Sequence, residues 1–167
     1  MPVTPFHIIA ATPITNIIPK RFSWSVFTLT NVLIDLDPIL SFIITLNPSH
    51  GFIHTILGAT LVGVFSATYG RQLCEFLVAH WNSGLKGKEI KWFSGDAKIS
   101  RTSAWIGALL GAWSHLFFDS FMHDDIRPLY PFTNANVLLN QVSIAHLHLI
   151  CTVSALIGLL LYWIRRL

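Results

Sequence analysis

The chain has 167 residues, 53% of them hydrophobic and 11% charged, with mean hydropathy +0.59 and a formal charge of +3 at pH 7. That length suits one domain, and the composition excludes a packed aqueous globule, because so few charges cannot cover so much apolar surface. A single membrane-embedded domain over residues 1–167 is expected, all-α, with lipid as part of its solvent.

Hydrophobic runs at 5–18, 22–37, 52–70, 103–122 and 145–164 predict about five short transmembrane helices. The first run has 14 residues, about 21 Å of helix, and Pro13 interrupts it, so a tilted, kinked or partly inserted segment is expected there. It lacks the basic start and small-residue cleavage site of a removable signal. The second run is expected to end at Asp37, since Pro38 biases the residue before it away from helical torsions. Residues 38–46 are too short to cross alone and predict a turn or an interfacial segment. Residues 71–82, with Arg71, Glu75 and His80 among Leu73, Phe76, Leu77 and Trp81, predict an amphipathic continuation of the third helix on the inner surface. Residues 83–100 form the one clearly solvated loop. Cys74 and Cys151 lie in different runs and are read as free thiols.

Basic residues accumulate on the cytoplasmic side of short loops. Ten of the eleven here fall on one side: Lys20, Arg21, Arg71, Lys86, Lys88, Lys91, Lys98, Arg101, Arg165 and Arg166. Only Arg127 falls on the other. The expected topology is multi-pass, with the N-terminus outside, the C-terminus cytoplasmic and the loops at 38–51 and 123–144 outside. Trp24, Tyr69, Trp105, Tyr162 and Trp163 then lie near the inner boundary, where amphipathic rings belong.

In that topology seven of the eight histidines, all but His80, gather at the outer face. Ionisable groups at membrane depth cost roughly 2.5–3.5 kcal/mol each, so they mark function by default. His115 and Asp119 are spaced i, i+4 on one helical face, with His123 one turn further, which suits metal ligation. Asp35 and Asp37 close the second helix, His50 and His54 flank Gly51 at the start of the third, and His7 opens the first. The expected ligands are therefore His7, Asp35, Asp37, His50, His54, His115, Asp119 and His123, with Asp35, Asp37 and Asp119 the catalytic carboxylates. His146 and His148, two apart, offer at most one residue to the same site, and His80 is read as structural. Arg127, beside Asp124 and Asp125, is read either as a salt bridge or as a contact to an anionic substrate.

Four segments, Phe6-His7-Ile8-Ile9, Leu33-Ile34-Asp35-Leu36-Asp37-Pro38, His50-Gly51-Phe52-Ile53-His54-Thr55 and Gly111–Ser120 leading into Tyr130-Pro131-Phe132, resemble the LexA-regulated, inner-membrane metal-dependent hydrolases of the YdjM-like family. The family pattern usually carries a proline before the first aspartate and a His-Arg-Gly opening, where this chain has Ile34 and Ser49-His50-Gly51. The order of histidines and aspartates is also similar to the zinc-dependent phospholipase C and single-strand nuclease superfamily, although its late His-x-x-x-Glu pair is missing. That resemblance implies phosphoester chemistry.

Mixed imidazole and carboxylate ligands suit zinc, and their number suits one to two ions, bridged by Asp37 or Asp119 and about 3.5–4 Å apart, with a shared activated water. A lipid or lipid-linked phosphoester is the expected substrate, and membrane lipid the expected surroundings. The alternatives are a metal-ion binding or transport protein, whose ligands should sit near the bilayer midplane, and a non-catalytic membrane protein that docks through its basic inner loop. No recognised nucleic-acid fold accompanies the basic residues, so nucleic acid is not an expected partner.

Overall fold

The computed structural model describes residues 4–44, 50–87 and 89–166, which are helical with connecting turns and contain no strand. Helices α1 (Thr4–Ala10) and α2 (Thr12–Ile17) replace the single first helix expected from the sequence. The break falls at Ala11 rather than at Pro13, which stands in the first turn of α2, where its missing N–H costs nothing.

Helix α3 (Trp24–Ile44) runs straight through Pro38. The expected end at Asp37 and the turn over 38–44 are therefore corrected; residues 45 and 46 lie outside the described residues. A proline costs a helix one hydrogen bond and a clash, and neighbouring contacts can outweigh that. Here Asp37, one residue before the proline, is held by Gly51 and His54. Beyond Pro38 the helix projects with its apolar side chains uncovered: Ile39, Leu40, Phe42, Ile43 and Ile44 are all more than half exposed, Phe42 by 86%.

A short 3₁₀ turn (Phe52–His54) precedes α4 (Ile56–Phe65), so His50 and His54 sit ahead of the third helix rather than on it. Thr55 caps α4 by accepting from the Gly58 N–H. The helix continues through a π segment (Ser66–Gly70) into α5 (Arg71–Gly84), as the amphipathic pattern predicts. Residues 83–100 are less free than expected. They contain α6 (Glu89–Phe93), Asn82 exchanges hydrogen bonds with the Gly95 backbone, and the Tyr162 hydroxyl donates to the Trp92 carbonyl.

Helix α7 (Arg101–Ser120) packs between α3 and α4 with a stripe of Ala104, Gly107, Ala108, Gly111 and Ala112, all buried. Gly107 leaves no room for a side chain, since a Cβ there would lie 2.5 Å from the Ser23 carbonyl oxygen, and Gly111 is tight, with a Cβ 3.0 Å from that of Phe27. Small residues permit this close approach of the two backbones. Helix α8 (Ile144–Arg166) packs on α1 and α2. By length and composition, Trp24–Ile44 and Ile144–Arg165 suffice to cross a membrane, with mean hydropathies of 1.6 and 2.1. Cys74 and Cys151 are free and buried.

Candidate metal centre

The i, i+4 spacing of His115 and Asp119 on α7 has the expected effect. Their side chains share one face, Nε2 to Oδ2 3.1 Å, and both are buried. The close passage of α3 brings Asp35 Oδ1 within 3.3 Å of the same Nε2. From the 3₁₀ turn, His54 turns its Nε2 to 3.8 Å from Asp119 Oδ2. Asp35, His54, His115 and Asp119 each offer one ligand atom, and these atoms all lie within 4.8 Å of one another. Helix α1 adds His7, whose Nε2 lies 3.0 Å from Asp119 Oδ1 and whose ring stacks on that of His115.

These approaches are close, yet they are not all hydrogen bonds. Among the described residues, His54 Nε2, His115 Nε2 and Asp119 Oδ1 are buried and have no hydrogen-bond partner. Imidazole nitrogens and carboxylate oxygens therefore face one another inside the protein. Such an arrangement fits a divalent cation, which takes imidazole nitrogen and carboxylate oxygen together.

The opposite ring atoms are occupied. His54 Nδ1 is 3.3 Å from Asp37 Oδ2, and that same oxygen accepts the Gly51 N–H at 2.7 Å. Gly51 allows this approach, since a Cβ there would stand 3.2 Å from the carboxylate. Asp37 thus orients His54 from outside the group of four. His115 Nδ1 is 3.0 Å from Asn31 Oδ1.

A second group, His50, His123 and Asp125, lies alongside. Asp125 receives both the His50 N–H, at 3.0 Å, and a contact from His50 Nδ1 at 2.8 Å. The His50 ring meets that of His123 at 4.3 Å and that of His54 at 4.6 Å, so His50 links the two groups. Helix α7 ends at Ser120, yet the His123 N–H still bonds to the Asp119 carbonyl four residues back, which keeps His123 beside the end of the helix. Burial holds the His123 imidazole below its usual pKa, which favours the neutral ligand form.

The remaining sequence candidates lie elsewhere. Arg127 donates to the carbonyls of Asp124 and Ile126. His146 is bonded to Ser143, His148 packs on Phe6, and His80 is exposed beside Phe76. Two residues that sequence reasoning passed over now matter. Asn31 stands four before Asp35 in an apolar run, a legible signal, whereas in the sequence Asp125 reads only as a neighbour of Arg127.

A family model described as YdjM inner membrane protein matches residues 4–166. The chain belongs to the YdjM inner membrane protein family. The match spans every residue of both ligand groups. Comparison with curated proteins and with solved structures returns no match.

Proposed function

We propose that this YdjM-family chain is a membrane-bound, metal-dependent hydrolase that cleaves a lipid or lipid-linked phosphoester through a metal-activated water. The observation that carries this reading is the set of buried atoms that make no hydrogen bond among the described residues, His54 Nε2, His115 Nε2 and Asp119 Oδ1, gathered with Asp35. Leaving a buried polar atom unpaired costs about 1–3 kcal/mol, and a coordinated ion offsets that for all of them at once. Zinc suits the donor set; the second group, with His50 and His123, supports one to two ions.

When bound, the ion supplies a Lewis acid and a water of lowered pKa. The protein does the rest. Asp35 and Asp119 bring the negative charge that retains a cation, His7 braces Asp119, and Asp37 aims His54. The apolar end of α3 beyond Pro38 supports a site reached from the bilayer, hence a lipid substrate, and Arg127 is the proposed phosphate contact. About five membrane-crossing segments, with the N-terminus outside, the C-terminus cytoplasmic and the ligand cluster toward the outer face, complete the reading; the one-sided basic residues support it.

The test is metal content by mass spectrometry on detergent-purified protein, for wild type, His115→Ala, Asp119→Ala and a His80→Ala control, followed by phosphate release from lipid phosphoesters. Near-stoichiometric zinc or manganese, lost only in the first two variants and accompanied by turnover, is expected. No metal in the wild type after metal is added back would sink the reading.

One observation favours a second reading, metal-ion binding or transport. Asp35 is the twelfth of the 21 residues of α3, near its middle, where transport sites lie. Metal uptake into liposomes without phosphoester turnover would select it.

A further inference from the structure

We infer that Asn31 is a positioning residue that commits His115 to bind metal through Nε2, an inference that rests on the metal-centre reading above. Asn31 is fully buried on α3, and its Nδ2 lies 2.8 Å from the Phe27 carbonyl oxygen. A carbonyl only accepts, so the atom facing it must be the amide NH₂. That fixes the other end of the amide: Oδ1 is the atom 3.0 Å from His115 Nδ1. Oδ1 also only accepts, so Nδ1 must carry the proton. In the neutral ring the lone pair then belongs to Nε2, which lies 3.1 Å from Asp119 and 3.3 Å from Asp35. A carbonyl four residues back on α3 thereby sets the protonation of a ring on α7.

The chain of contacts depends on the helices touching. A Cβ at Gly111 would meet Phe27 O at 3.0 Å and Asn31 Nδ2 at 3.2 Å, so the missing side chain lets Asn31 reach His115, one turn along α7. The choice of amide also has a reason. His54 and His50 have carboxylates, Asp37 and Asp125, at their Nδ1 atoms, whereas His115 has the neutral Asn31. His115 already faces two carboxylates at Nε2. An amide orients the ring without adding a third negative charge to a fully buried imidazole.

Long-range ¹H–¹⁵N correlation spectra of ¹⁵N-histidine-labelled protein test this, with His115 assigned through His115→Gln and zinc affinity read by chelator competition. In the zinc-loaded wild type, Nδ1 should carry the proton and Nε2 the metal. Asn31→Leu should mix the tautomers and weaken zinc binding roughly 10–100-fold, the usual loss for an orienting partner. Asn31→Asp, which keeps an acceptor at Nδ1, should keep both the tautomer and at least wild-type affinity. Zinc bound through Nδ1 in the wild type would overturn the inference while leaving the metal centre standing. So would Asn31→Leu with unchanged affinity and spectrum. Should Asn31→Leu fail to fold, the wild-type spectrum alone decides. Wild-type protein that takes up no zinc would overturn the metal-centre reading, and the ligand role of His115 with it.

Discussion

His7 Nε2 and Asp119 Oδ1 lie 3.0 Å apart, which joins the first helix of the chain to the last turn of α7. Both side chains are nearly inaccessible. Because Asp119 also faces His115 and His54 through its other oxygen, His7 is the residue that keeps this carboxylate from turning away.

Replacing His7 by alanine should therefore weaken metal binding about tenfold or more without abolishing it, whereas Asp119→Ala should abolish it. Chelator competition on the two purified variants checks the order. Equal loss in both would make His7 a ligand of the same rank as Asp119.

Asp37→Asn should act through His54. The amide oxygen can still meet both donors that share one carboxylate oxygen, but it lacks the carboxylate's charge, so it holds and polarises His54 more weakly. A drop in metal affinity of roughly 10–100-fold is expected. The same substitution at Asp35, which faces His115 Nε2 directly, should cost more. Isothermal titration of both variants gives the comparison.

The contrast between these two aspartates was only half legible in the sequence. The pair at 115 and 119 could be read from helical spacing alone, and the structure confirms its shared face. Asp35 and Asp37 could not be ranked, because Pro38 argued for a helix end and tertiary contacts overrode it. His50 and His54 have helical spacing by coincidence: one precedes and one ends a 3₁₀ turn, and Asp125 orients the first while Asp37 orients the second. Asp125 was unreadable as a site residue because its partner His50 lies 75 positions away.

The α3–α7 contact predicts a sharp difference among glycines. Gly107→Val must displace the Ser23 backbone and should cost at least about 1–3 kcal/mol, seen as a lower unfolding temperature in detergent. Gly84→Ala meets nothing within 4 Å and should stay within about 0.5 kcal/mol of wild type.

The exposed end of α3 should lie in lipid. In a background without Cys74 and Cys151, a spin label at Phe42→Cys should collide more often with dissolved oxygen than with a water-soluble nickel chelate. The reverse ranking would place residues 38–44 in water and remove the support for a substrate entering from the bilayer.

The stripe of glycine and alanine on α7 has one more consequence. Such residues have essentially no side-chain rotamers to lose or to explore. The spacing of α3 and α7 that brings Asp35 to His115 is thus set by backbone resting on backbone, with no rotamer change in the stripe to widen it. His50, His123 and Asp125 hang instead from turns, which are the more mobile parts of most folds. Two of the four deeper residues, His115 and Asp119, thus stand on a helix whose spacing side-chain motion does not set, whereas the shallower group is carried by turns.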